Sequence, residues 1–174
     1  MMEPWIITNS GKKFNLVNPI KDMVNIKDIA HALSNICRFG GHCNQHYSVA
    51  QHCVIASMIV SEENALCALL HDATEAYIGD MVSPLKQILP QFKEIEQNLW
   101  KVIADKYNLP YMLPEEVKTA DLKMLKAEKR DIMPLTDPWP FLEGIKETSM
   151  YISPWDHEYA RARFINRFKE LGGK

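Results

Sequence analysis

The sequence has no surplus of positive charge. Its 20 Lys and Arg stand against 22 Asp and Glu, for a formal net charge of −2. That excludes a broad basic face for nucleic acid, so any phosphate site must be local. No apolar run approaches the roughly 18 residues of a membrane-spanning helix. The first residues, "MMEPWIITNSGKKF", lack a basic start followed by an apolar stretch, so no secretory leader is expected. The expected location is the cytoplasm, or a host's cytoplasm if the chain is phage-encoded. Seven Gly and ten Pro leave no sign of low complexity. The four cysteines (Cys37, Cys43, Cys53, Cys67) show no C-x-x-C pair, so a zinc knuckle is not expected. They read as reduced thiols, with Cys53 and Cys67 serving as small hydrophobes in helices.

What is present is enough apolar content, 47% of 174 residues, to bury the core of one domain over 1–174. Residues 4–17 read as a small hairpin around Asn9-Ser10-Gly11. Beyond it the spacing turns helical. Ile26, Ile29, Ala30, Leu33, Ile36 and Cys37 recur at threes and fours, and Gly40-Gly41 stop the run. A second helix opens at Ser48 and a third at Ser61, the latter running through "HDATEAYI" to Gly79. Pro84 begins a helix that carries Leu85 to Ile103 and bends near Pro90. "LPEEVKTADLKMLKAEKRDIM", started by Pro114, and "WDHEYARARFINRFKEL" are two more, separated by a Pro- and aromatic-rich loop. The expected fold is an all-α bundle with a small N-terminal β-hairpin.

One segment does not fit a plain core. "ALLHDATEAYIGD" places His71 and Asp72 directly after Ala68, Leu69 and Leu70, with Glu75 and Asp80 beyond. A His–Asp doublet on such a buried helix is costly unless something pairs with it. A divalent cation does so, since imidazole and carboxylate are its ordinary ligands. His52, among apolar neighbours in the preceding helix, and Asp121, beside Ala120 and Leu122, could complete the set. Taken singly, each is ordinary: His52 as a core histidine, Asp121 as a solvated acid. The combined order H…HD…D is far more specific.

That order resembles the HD-domain metal-dependent phosphohydrolases. The likeness extends through "DIAHALSNICRFGGH", "YSVAQH", "LLHDATEAYIGD", "SPLK" and "KTAD". It is similar to the small phosphohydrolases allied to bacterial HD-domain 5′-nucleotidases. It looks most like the dATP triphosphohydrolases of phages that replace adenine with 2-aminoadenine. The resemblance implies metal ligands at His52, His71, Asp72 and Asp121. It implies that Glu75 and Asp80 activate water or hold additional Mg or Co with the phosphates. Arg38 and Phe39, Pro84, Lys86 and Lys118 would contact the nucleotide. It also implies a compact homo-oligomer such as a hexamer, and the apolar segment Met133 to Trp155 is an interface or lid.

Several of these placements make sense without the resemblance. Lys118 lies three residues before Asp121 on one helix face, and a lysine there is useful if phosphates bridge it to the ion. Arg38 precedes a glycine pair that lets backbone approach a ligand. The ion is expected to be Zn, Co or Mn, with Mg less suited to two imidazoles. Glu75 is the candidate base, and His42 or His46 could serve as acid for the leaving 5′ oxygen. The expected reaction is hydrolysis of a deoxynucleoside triphosphate, dATP favoured, to deoxynucleoside and triphosphate. The alternatives are a 5′-deoxynucleotidase acting on monophosphates and a non-catalytic nucleotide-binding protein.

Overall fold

A computed structural model describes residues 4–134 and 137–173. The expected hairpin is there: β1 (Trp5–Ile7) pairs antiparallel with β2 (Lys13–Asn15), Ile6 opposite Phe14. Gly11, at φ +78°, makes the turn. Ser10 ties the hairpin to the bundle. Its amide and hydroxyl each donate to the buried Asp28 carboxylate at 2.7 Å.

The rest is helical: α1 (Ile26–Asn35), α2 (Val49–Ala56), α3 (Glu62–Leu70), α4 (Glu75–Ile78), α5 (Ser83–Ile88), α6 (Pro90–Tyr107), α7 (Glu115–Asp131) and α8 (His157–Glu170). Among the described residues, no helix is long and apolar enough to cross a membrane. The helix α2 is the axis of the fold. All eight of its residues are buried, packed between α1, α3, α7 and α8. Its start is fixed as expected, the Gln51 amide donating to the Ser48 hydroxyl at 3.1 Å. Gln51 also anchors the C-terminal loop, accepting from the Trp155 amide at 2.8 Å and donating to the Ser153 carbonyl at 2.7 Å.

Three boundaries differ from the sequence reading, each for a local reason. Helix α1 ends at Asn35, before Ile36 and Cys37. The chain there turns extended and pairs back on α2: Cys37 bridges Ser48, and the Arg38 amide donates to the Tyr47 carbonyl at 2.9 Å. Arg38 is therefore held beside the start of α2, at the entry to a 3-10 turn, Phe39–Gly41, and not at the end of α1. The run from Ser61 to Ile78 is not one helix. It breaks at residues 71–74 into tight i→i+3 turns, the Ala73 amide donating to Leu70 and the Glu75 amide to Asp72. Ser61 holds the cap position, but its hydroxyl donates to Glu116 at 2.6 Å and accepts from the Asn64 side-chain amide at 3.1 Å, capping no backbone amide of its helix. The expected bend near Pro90 is a full break at Leu89, with Pro90 opening α6.

Among the described residues of the loop after α7, Pro140–Leu142 form a 3-10 turn. Leu142 and Ile152 are buried. Within the expected lid or interface from Met133 to Trp155, residues 135 and 136 lie outside the described residues.

Candidate active site

Helix α2, the end of α3 and α7 each bring one part of the expected constellation inward. His52 is fully buried in the middle of α2. His71 and Asp72 sit where α3 gives way to the tight turn, and Asp121 comes from α7. The four meet. His52 Nε2 lies 3.3 Å from His71 Nε2, 3.7 Å from Asp72 Oδ2 and 3.2 Å from Asp121 Oδ1. His71 Nε2 is 3.3 Å from Asp72 Oδ2 and 3.9 Å from Asp121 Oδ1. One ligand atom from each of His52, His71 and Asp72 falls within 4.8 Å of the others.

The far sides of both imidazoles are committed. His52 Nδ1 donates to Glu128 Oε1 at 2.6 Å, and His71 Nδ1 donates to the Ala68 carbonyl at 2.7 Å. Both Nε2 atoms thus turn toward one point with two carboxylates. Two imidazole lone pairs and two anions so close together need a positive charge between them. In the metal-free protein a proton supplies it. Burial and the Arg38 charge oppose protonation of His52, but Glu128 and the Asp121 hydrogen bond outweigh them, raising it to about 9. Burial pushes Asp121 up, yet the His52 hydrogen bond and the His52, His71 and Arg38 charges hold it below its ordinary range. The same donor set fits a divalent cation, with outer hydrogen bonds already fixing its histidines.

Glu128 is the residue that sequence reasoning missed. It lies in α7 with no exposed surface. While Oε1 accepts from His52, Oε2 pairs with Arg38 Nη2 at 3.1 Å. Arg38 Nη1 reaches Asp72 Oδ2 at 3.5 Å. Arg38 thus links two acids of the centre, and despite burial those acids raise its pKa further. A signal existed: Glu128 follows Asp121 by seven residues, two helical turns, and so shares its face.

A cleft of about 480 Å³ opens beside the centre. Its lining combines charged side chains, Arg38, Asp72, Glu75, Asp80, Lys86 and Asp121, with largely apolar ones, Phe39, Val82, Pro84, Leu125, Trp139 and Phe141. Of the expected contacts, Arg38, Phe39, Glu75, Asp80, Pro84 and Lys86 all line this space. Glu75 is 5% exposed and its Oε2 has no hydrogen-bond partner. Burial, then the charges of Asp72 and Asp80, push its carboxyl well above the usual range. Burial likewise raises Asp80, against the pull of Arg38. Lys86 donates to Glu96 at 2.7 Å.

Three expected residues fall elsewhere. Lys118 does not line the cleft; it donates to the exposed Glu115 carboxylate at 3.3 Å along the same helix. His42 and His46 are exposed and also do not line it. Phe39 carries a backbone cost. Its φ is +57°, a left-handed conformation that disfavours a bulky side chain by roughly 1–2 kcal/mol. Such strain in a cleft-lining residue fits a functional position.

A family model described as 5′-deoxynucleotidase YfbR-like matches residues 27–138. The chain belongs to this YfbR-like family of HD-domain phosphohydrolases. The matched span holds every residue of the metal-ligand constellation, together with Glu128. Among similar proteins, "uncharacterized protein YfdR" of Escherichia coli K12 is 48% identical over 170 residues, 96% of this chain and 95% of that protein. An uncharacterised Rhodobacter capsulatus protein is 32% identical, covering 69% of this chain and 66% of its own. The 5′-deoxynucleotidase YfbR of Escherichia coli is 30% identical over 107 residues, 58% of this chain and 43% of that enzyme. The match to that enzyme therefore spans less than half of its length.

Proposed function

We propose that this protein is a metal-dependent 5′-deoxynucleotidase, converting deoxynucleoside monophosphates to deoxynucleosides and inorganic phosphate. The observation that carries this reading is the mixed lining of the cleft: cations and acids of the His–Asp centre share it with an aromatic surface of Phe39, Trp139 and Phe141. That combination suits a nucleoside monophosphate. The triphosphate expected from the sequence is less well supported. Of the three cations expected at the phosphates, Arg38 and Lys86 line the cleft, and both are already paired with carboxylates. Lys118 is turned away. A phosphomonoester dianion suits that supply; a triphosphate tail, with about twice the charge, does not. The family description, 5′-deoxynucleotidase, points the same way.

His52, His71, Asp72 and Asp121 would hold the divalent cation. Bound there, such an ion supplies Lewis acidity and eases deprotonation of a water. The protein's own groups do the rest. Glu75, buried and with a free carboxylate oxygen, takes the proton of the attacking water. Arg38 and Lys86 offset charge on the phosphoryl oxygens as the bond from phosphorus to the 5′ oxygen breaks. Glu75 then returns the proton to that leaving oxygen. With His42 and His46 both outside the cleft, no histidine is needed for this step.

The test is product analysis. Purified protein, stripped with chelator and reloaded with Mn²⁺, Co²⁺ or Zn²⁺, is given dAMP or dATP. Phosphate and deoxyadenosine from dAMP are expected. Triphosphate from dATP with nothing from dAMP would overturn the proposal in favour of triphosphohydrolase chemistry.

A further inference from the structure

The cleft lining includes two aromatic residues that lie just beyond the span matched by the family model, Trp139 and Phe141. They come from the loop after α7. Their rings stack at 5.8 Å with planes 22° apart. Trp139 faces the Phe39 ring across 6.4 Å, tilted by 50°. The Lys129 ammonium sits 5.4 Å from the Trp139 ring centre, helping to set that ring's position. Phe141 is 62% exposed, although it lines the same cleft as the charged centre. A large aromatic left this open costs hydration unless a flat apolar group covers it in use.

The opposite wall is prepared in a complementary way. Phe39 adopts its left-handed backbone between Arg38 and the Gly40-Gly41 pair. Arg38 Cζ is 5.4 Å from the Phe39 ring centre. One short stretch therefore supplies both a cation and an aromatic ring to the cleft lining. A small molecule that joins an anionic group to a flat apolar group fits such a lining. Among the residues lining the cleft, Ser83 is the one neutral hydroxyl or amide side chain. The uncharged side chains of the lining are thus equipped to stack and to exclude water far more than to hydrogen-bond.

We propose that Trp139 and Phe141, with Phe39, form the surface that binds the substrate's nucleobase, so that this chain builds its base site from a loop outside the matched family span. The proposal rests on reading the cleft as a nucleotide site. It assigns Trp139 and Phe141 to binding, not to chemistry.

The test separates the two. The probe is 2′-deoxyadenosine, which has no phosphate to hydrolyse, with 2′-deoxycytidine as the smaller base. Binding is followed by tryptophan fluorescence and calorimetry on the full chain, with Trp139→Leu and Phe141→Leu. Because Phe141 is exposed, its variant keeps the fold even if Trp139→Leu does not. Deoxyadenosine is expected to quench wild-type emission and to bind more tightly than deoxycytidine. Each variant should weaken deoxyadenosine binding by about tenfold, the loss typical of one stacking partner. In turnover of dAMP, KM should rise more than kcat falls, and Mn²⁺ affinity should not change. If Phe141→Leu and a folded Trp139→Leu bind deoxyadenosine as wild type does, the proposal is wrong even if dAMP is hydrolysed. If nucleoside binding depends on these rings but no nucleotide is hydrolysed, the base site stands and the deoxynucleotidase reading fails.

Discussion

Glu128 accepts from His52 Nδ1 at 2.6 Å through one oxygen and pairs with Arg38 Nη2 at 3.1 Å through the other. One buried carboxylate thus orients both a candidate ligand and the guanidinium expected at the phosphate. Its own charge is favoured: burial raises its pKa, but Arg38 and His52 lower it further, below the usual range. Replacing Glu128 with Gln should weaken Mn²⁺ binding by about 10–100-fold, the usual cost of losing an outer partner of a metal histidine. Glu128→Ala should also cost about 3–5 kcal/mol of stability, because Arg38 is left buried with one acid fewer. Calorimetric metal titration and thermal unfolding check both.

Glu75 should show the opposite trade. Its folded pKa lies above the ordinary value, raised by burial and by Asp72 and Asp80. A carboxyl shifted upward in the folded state destabilises that state as pH rises above the unfolded value, near 4.5. Glu75→Gln removes this penalty. The metal-free variant should therefore melt higher than wild type at pH 7–8, with the gap closing toward pH 4. Phosphate release should be lost at every pH. Thermal scans across that range, paired with a dAMP assay, check the sign.

The two lysines assigned to phosphate on sequence grounds should separate. Lys86 lines the cleft, so Lys86→Ala should lower kcat/KM for dAMP by about tenfold, equivalent to one charge-assisted hydrogen bond of roughly 1.5 kcal/mol. Lys118 pairs on the surface with Glu115, and Lys118→Ala should stay within about twofold. Steady-state kinetics on both variants distinguishes the structure's placement from the sequence's.

Helix α8 lies outside the matched family span but packs against α1 and α2. Phe164 is its fully buried anchor. Phe164→Ala should cost about 3–5 kcal/mol, while the folded fraction keeps wild-type metal affinity. Denaturant unfolding and metal titration under native conditions measure the two effects.

The legible and illegible parts of this protein divide along physical lines. His52, His71 and Asp72 stood out because polar groups in apolar helices demand a partner. Ser48 was legible as a cap because its hydroxyl has one obvious amide to serve. Glu128 was hidden in "LKAEKRD", where charged neighbours make an acid look solvated; only its seven-residue spacing from Asp121 marks the shared face. The break after Leu70 was hidden because the apolar pattern runs on through Ala73 and Ala76, and only the three-dimensional pairing of His71 with Ala68 accompanies the tight turn. Trp139 and Phe141 were legible only as part of the apolar segment from Met133 to Trp155, because which surface they meet depends on how the loop after α7 folds back.

The most direct measurement is an anomalous-scattering map from a crystal soaked in Mn²⁺, collected near the manganese edge. A strong peak bounded by His52 Nε2, His71 Nε2, Asp72 and Asp121, absent in Asp72→Ala, is the expected result. A peak elsewhere, or none at saturating Mn²⁺, Co²⁺ and Zn²⁺, would contradict the account.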